Sequence, residues 1–195
     1  MKILLGTLLS LLLAFGILLV FPLSGEEEIY TSVLRLHILA ESDDTADQAA
    51  KLAVRDALLS RYGEVFALNE SKEDAVAYVR ENLTSIKETA ATALTDFGYE
   101  GKVTAELTEE WFDTRTYDDI TLPGGTYTAL KITIGEGRGQ NFWCMLYPAL
   151  CVTPALGEVI TESEDAFDED TYLFLTRGGY GVRFRVLELL SAAFH

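Results

Sequence analysis

The hydrophobic period of this chain changes half-way along. Val76, Val79, Leu83, Ile86, Ala90, Ala93 and Phe97 recur at alternating spacings of three and four, the repeat of an apolar stripe on an α-helix. From Val103 the spacing drops to two. Val103, Ala105 and Leu107 alternate with Thr104, Glu106 and Thr108, and Leu130, Ile132 and Ile134 alternate with Lys131 and Thr133, as in half-exposed strands. Ser32–Ala40 predicts an earlier strand, and Ser42, Asp43, Asp44 and Thr45 offer N-caps for a helix over Ala46–Phe66 that turns Ala50, Val54, Ala57, Leu58 and Val65 to one side. Ser71 to Asp74 opens the striped helix as a capping box with Asp in place of Glu or Gln, and Gly98 closes it. Pro123-Gly124-Gly125 marks a turn, Phe142–Val152 is a dense apolar block, and Tyr180–Leu190 follows a Gly178-Gly179 turn as a strand or helix. No linker divides these elements. The order predicts a single α+β domain over residues 26–195, with two amphipathic helices packed on a mainly antiparallel sheet.

Ahead of that domain lies a hydrophobic leader, residues 1–25. Lys2 is its only charge, and Ile3–Leu23 has none; as a helix that run reaches roughly 31 Å, the depth of a bilayer core. Cleavage after Gly25 would put Leu23 where a signal peptidase prefers a small residue, and no Cys follows to carry a lipid. The leader is either a retained anchor or a cleaved signal peptide, and both place the body outside the cytoplasm. Beyond it the chain carries 14 basic and 31 acidic residues, a net charge of −17. Such a body repels phosphate backbones, so no nucleic-acid partner is expected, and the membrane contact is through the leader. With 49% hydrophobic and 11% aromatic residues the body has ample core and is not a disordered segment.

Candidate chemistry is sparse. Gly135, Gly137 and Gly139 form a G-x-G-x-G run after a strand, but a dinucleotide loop needs G-x-G-x-x-G opening a helix, and a tight turn is expected instead. The histidines are His37 and His195, and no H-E-x-x-H or Cys/His cluster is present for a metal. Glu162–Asp170 lacks the central Gly of a calcium loop and reads as a solvated surface run. Cys144 and Cys151 are separated by six residues, unlike a redox C-x-x-C; in an exported protein they either close a small disulfide loop or remain buried thiols. The triplets at Asn69 and Asn82 match a glycosylation acceptor, as short patterns do by chance.

Two longer segments carry more information. Leu34-Arg35-Leu36-His37-Ile38-Leu39-Ala40-Glu41-Ser42-Asp43, followed by Asp47-Gln48-Ala49, Lys51 and Val54-Arg55-Asp56-Ala57, resembles the N-terminal signature of the stage II sporulation protein R family. Pro123, Gly125, Tyr127, Ala129-Leu130, Ile134-Gly135, Gly137, Gly139, Asn141, Trp143-Cys144, Pro148 and Cys151 resemble its second conserved stretch. Glu41 stands where the family usually has Asn, Phe142 replaces a second Trp, and Ala149 a second Pro. The resemblance implies a signalling protein of endospore-forming bacteria. Such proteins are made in the forespore and exported into the space between the two membranes. There they activate a membrane-embedded aspartic-type protease of the mother cell, which processes the sigma-E precursor. On that basis the chain is an activator with no catalytic residue and no cofactor.

Arg35, His37, Ser42, Asp43, Lys51, Arg55 and Asp56 are expected to form one polar cluster at the strand–helix junction, serving either the partner or the fold. Within it Asp47 is placed to pair with Lys51 one turn on. The rival function is an exported hydrolase using His37 or Cys144, with a carboxylate orienting the imidazole.

Overall fold

The structure is a computed structural model and describes residues 6–14, 26–117, 120–149 and 167–176. Residues 6–14 of the leader are helical and expose Leu8, Leu9, Leu11, Leu12 and Leu13. Among the described residues no helix is long and apolar enough to cross a membrane. In chain order the body runs α1 (Glu26–Ser32), β1 (Leu34–Leu39), α2 (Thr45–Ala67), α3 (Lys72–Asp96), β2 (Val103–Phe112), β3 (Arg115–Tyr117), β4 (Ile120–Leu122), β5 (Gly125–Ile134), β6 (Asn141–Tyr147) and α4 (Glu169–Thr176). Cys151, Tyr180–Leu190 and His195 lie outside the described residues.

The architecture is the expected α+β one. Four strands pair in the order β2-β5-β1-β6, and β3 and β4 form a separate hairpin. β1 runs parallel to β5 and antiparallel to β6, while β2 and β5 are antiparallel. α3 begins as its sequence requires: the Ser71 hydroxyl accepts the amide of Asp74 at 3.1 Å, and Gly98 leaves the helix at φ 77°. α2 buries Ala50, Val54, Leu58, Leu59, Tyr62 and Phe66, so its inner stripe carries Tyr62 and Phe66 where Val65 was expected. Tyr62 can be buried because its hydroxyl meets Ser85 at 3.0 Å and Thr89 at 3.1 Å on α3.

Strand alternation sorts the sheet into two cores. Leu34, Leu36 and Ile38 join Leu130, Ile132, Ile134, Cys144 and Leu146 beneath α2 and α3. The other face gathers Phe112, Tyr127, Ala129 and Met145 with Ile29 and Val33, Ile120 and Leu122 of β4, and Leu175 of α4. β1 is therefore a central strand covered on both sides, and Arg35 and His37, at its odd positions, are buried with it.

The two motif segments meet at one end of the sheet. The β5–β6 turn folds back over the β1–α2 loop, with the Arg138 amide donating to the Glu41 carbonyl at 3.1 Å and the Gly139 amide to the Ala40 carbonyl at 2.9 Å. Side chains close the same contact: the Glu136 amide donates to Glu41 Oε2 at 2.7 Å, and the Gln140 amide to Asp43 Oδ1 at 2.7 Å. Gly135 and Gly137 take φ of 59° and 64°, which L side chains rarely adopt. At Gly139 the restriction is space, since a Cβ there would stand 2.1 Å from the Ser42 carbonyl oxygen. The G-x-G-x-G run is thus a tight turn locked to the first loop. Gly139→Ala forces two backbones apart and is expected to cost about 3 kcal/mol, read as a lower urea midpoint with unchanged slope; a midpoint equal to the unsubstituted chain would contradict the lock.

Candidate functional site

The seven polar residues expected in one cluster occupy three places, because β1 sends its side chains alternately to opposite faces and the helix carries the later residues away. Ser42, Asp43 and Lys51 meet at the loop–turn lock. Lys51 is buried, and its Nζ donates to Gln48 Oε1 at 2.6 Å and to the Gln140 carbonyl at 2.8 Å. Burial lowers its pKa, against the opposing pull of the Asp43 charge. The expected Asp47–Lys51 pair is not formed. Asp47 instead accepts from the Ser42 hydroxyl at 2.6 Å and the Tyr99 hydroxyl at 2.8 Å, bonds that hold its carboxyl below the ordinary range. Burial and that same bond push Tyr99 up to about 12. Arg55 turns to its neighbour Asp56, Nε to Oδ1 at 2.8 Å, and lies over the Phe142 ring at 5.2 Å.

Arg35 and His37 stand on the opposite face of the sheet, around Phe112. The Arg35 guanidinium is fully buried; its Cζ lies 4.1 Å from the Phe112 ring centre and 5.1 Å from that of Tyr127, and Nη2 donates to the Tyr117 hydroxyl at 2.5 Å. Ring faces are a weak substitute for a carboxylate, and Nε and Nη1 are buried without an acceptor among the described residues. His37 is better matched. Its Nδ1 lies 2.5 Å from Glu110 Oε1, and Glu110 Oε2 takes Lys131 Nζ at 3.0 Å. The imidazole packs edge-on against Phe112 and Trp143, each with centroids 5.8 Å away, and Arg115 stacks over Trp143 at 4.3 Å.

Glu110, Lys131, Phe112 and Tyr117 were missed as site residues from the sequence. The available signal was the pair Arg35 and His37 two apart on a strand: two basic side chains on one sheet face call for an acid on a neighbouring strand.

This arrangement bears directly on nucleophilic chemistry. Cys144 pairs with Leu36 and lies in the core beneath the helices, whereas His37 faces the other way. The sheet itself separates the Cys144 sulfur from the imidazole, so the two cannot act as nucleophile and base. Whether Cys144 pairs with Cys151 concerns a residue outside those described. Among the described residues no three His, Cys, Asp or Glu side chains are grouped to hold a metal ion.

The stage II sporulation protein R family model matches residues 30–156. The chain belongs to the stage II sporulation protein R family. Stage II sporulation protein R of Bacillus subtilis (strain 168) is 35% identical over 133 residues, 68% of this chain and 59% of that relative, so the match takes in less than two thirds of the relative's length. No solved structure matches the chain. Membership places the chain among sporulation proteins, and the matched span contains β1 to β6, the loop–turn lock and Arg35, His37 and Glu110.

Glu110 gives that face a pH signature. Burial pushes its carboxyl up, but the bonds to His37 and Lys131 outweigh burial and hold it below the ordinary range. A carboxyl held low stabilises the folded chain fully above its unfolded value of about 4.3 and loses that contribution as pH falls through the folded one. Glu110→Gln should therefore cost about 2 kcal/mol at neutral pH and flatten the loss of stability in acid below about pH 4. Urea melts across pH check this; a variant as acid-sensitive as the unsubstituted chain would contradict the assignment.

Proposed function

We propose that this protein is an exported forespore signal that activates a membrane-embedded aspartic-type protease of the mother cell, so that the sigma-E precursor is processed during sporulation. It acts as a ligand of the protease and not as a catalyst. Membership of the stage II sporulation protein R family carries this proposal. The uncharged leader Ile3–Leu23 supplies the export step, as an anchor or as a cleaved signal. The hydrolase alternative loses its Cys–His pair, because the sheet places Cys144 and His37 on opposite faces.

On this account the polar groups of the body build a shape. Arg35 organises three aromatic rings, and the Glu110 pair fixes His37 beside them. A ligand needs a rigid surface more than a reactive group.

Co-expression of the full-length chain with the protease and the sigma-E precursor tests the proposal. Precursor processing should depend on the chain and persist in His37→Asn and Cys144→Ser variants whose circular dichroism shows them folded. Processing that is absent with the unsubstituted chain would refute the activator role. Processing lost in both folded variants would restore the hydrolase.

A further inference from the structure

We propose that the sheet face around Phe112 binds a small monovalent anion, held by the Arg35 guanidinium and the indole N–H of Trp143, with His37 as a further donor. The site is independent of the signalling role proposed above. Four buried nitrogens carry it. Arg35 Nε and Nη1, His37 Nε2 and Trp143 Nε1 are buried with no hydrogen-bond partner among the described residues. Buried polar groups are nearly always paired, and an orphaned one points to an ordered water or ion.

The four nitrogens belong to three side chains packed about one ring. The Arg35 guanidinium lies over Phe112 at 4.1 Å, and the His37 and Trp143 rings meet Phe112 edge-on, each 5.8 Å away. His37 and Trp143 are register partners on β1 and β6, with their ring centres 5.8 Å apart. Because His37 Nδ1 faces the Glu110 carboxylate, it carries the hydrogen of that contact, and Nε2 becomes a donor when the imidazole takes a second proton.

Charge separates an ion from a water. The acid that touches this cluster is Glu110, and it is already shared between His37 and Lys131. Among the described residues no carboxylate pairs with Arg35. A guanidinium does not give up its proton, and a buried cation without a counter-charge is costly. The aromatic faces and the Tyr117 hydroxyl offset part of that cost, but none of them is an anion. Exposed Arg115, stacked over Trp143 at 4.3 Å, adds a second positive charge beside the site. Water would satisfy the N–H groups and leave the charge.

The same features choose the ligand. One unbalanced buried charge calls for one negative charge, which a divalent oxyanion would exceed. Arg35 is wholly buried, so the ion has few atoms. A halide accepts N–H groups from any direction, and chloride is the simplest ion that meets both demands.

Crystals of the full-length chain grown in sodium bromide locate the ion directly. Bromide should lie within hydrogen-bonding distance of Arg35 Nε or Nη1; bromide confined to the surface, an adventitious ion only, would overturn the site. In solution, chloride is exchanged for the bulkier gluconate at constant ionic strength. The thermal midpoint of the unsubstituted chain should rise by about 5 °C once chloride exceeds its dissociation constant a hundredfold, and folded Arg35→Met should show no rise. A midpoint insensitive to chloride, or an equal rise in the two chains, would overturn the site. Should Arg35→Met not fold, Trp143→Phe decides, because it keeps an aromatic ring and loses the donor. The same rise should then need about tenfold more chloride, and an unchanged requirement would overturn the site.

Discussion

The lock between the β1–α2 loop and the β5–β6 turn is the contact on which the rest of the fold depends. It joins residues almost a hundred positions apart, Gln140 to Asp43 and Glu136 to Glu41, through four short bonds. β1 and β5 run parallel and cannot be joined by a hairpin, so their register must be set from elsewhere. The turn achieves this by gripping the loop that leaves β1. Lys51 then ties the first turns of α2 to the same point through the Gln140 carbonyl. Helix, central strand and hairpin are thereby fixed in a single arrangement. Glu41 has a defined task here as acceptor of the Glu136 amide.

Once β1 is held as a central strand, its odd residues have no route to water. An apolar pair would fill that face at less electrostatic cost, since a buried cation without a carboxylate is expensive. Arg35 and His37 differ in how far they are satisfied, although the His37 Nε2 is also buried without a partner among the described residues. His37 has Glu110, which Lys131 also holds, whereas Arg35 relies on a phenol and aromatic faces. The face is consequently rigid and aromatic around a fixed positive charge, and α1, the β3–β4 hairpin and α4 cover it.

Much of this was legible in the sequence, and the limits have physical causes. The helix spans, the Ser71 cap, the Gly98 stop and the β2 and β5 alternation follow from local periodicity, and the structure reproduces them closely. β1 was legible as a strand but not as one buried on both sides, because Leu-Arg-Leu-His-Ile is also the pattern of a half-exposed strand. The single polar cluster failed for the same reason. Neighbours in sequence diverge across a sheet, and Asp47 and Lys51, correctly spaced for an ion pair, each find a better partner in Tyr99 and Gln140. Those partners lie 52 and 89 positions away, beyond any local signal.

Every assignment made to the two sheet faces presupposes that the sheet is held as one piece by the loop–turn lock. Native-state amide exchange in low urea tests that most directly. The amides of Glu136, Arg138, Gly139 and Gln140 should exchange only through global unfolding, with the same opening free energy as the core amides of β1 and β5. Exchange of these four through a local opening well below the global free energy would contradict the account.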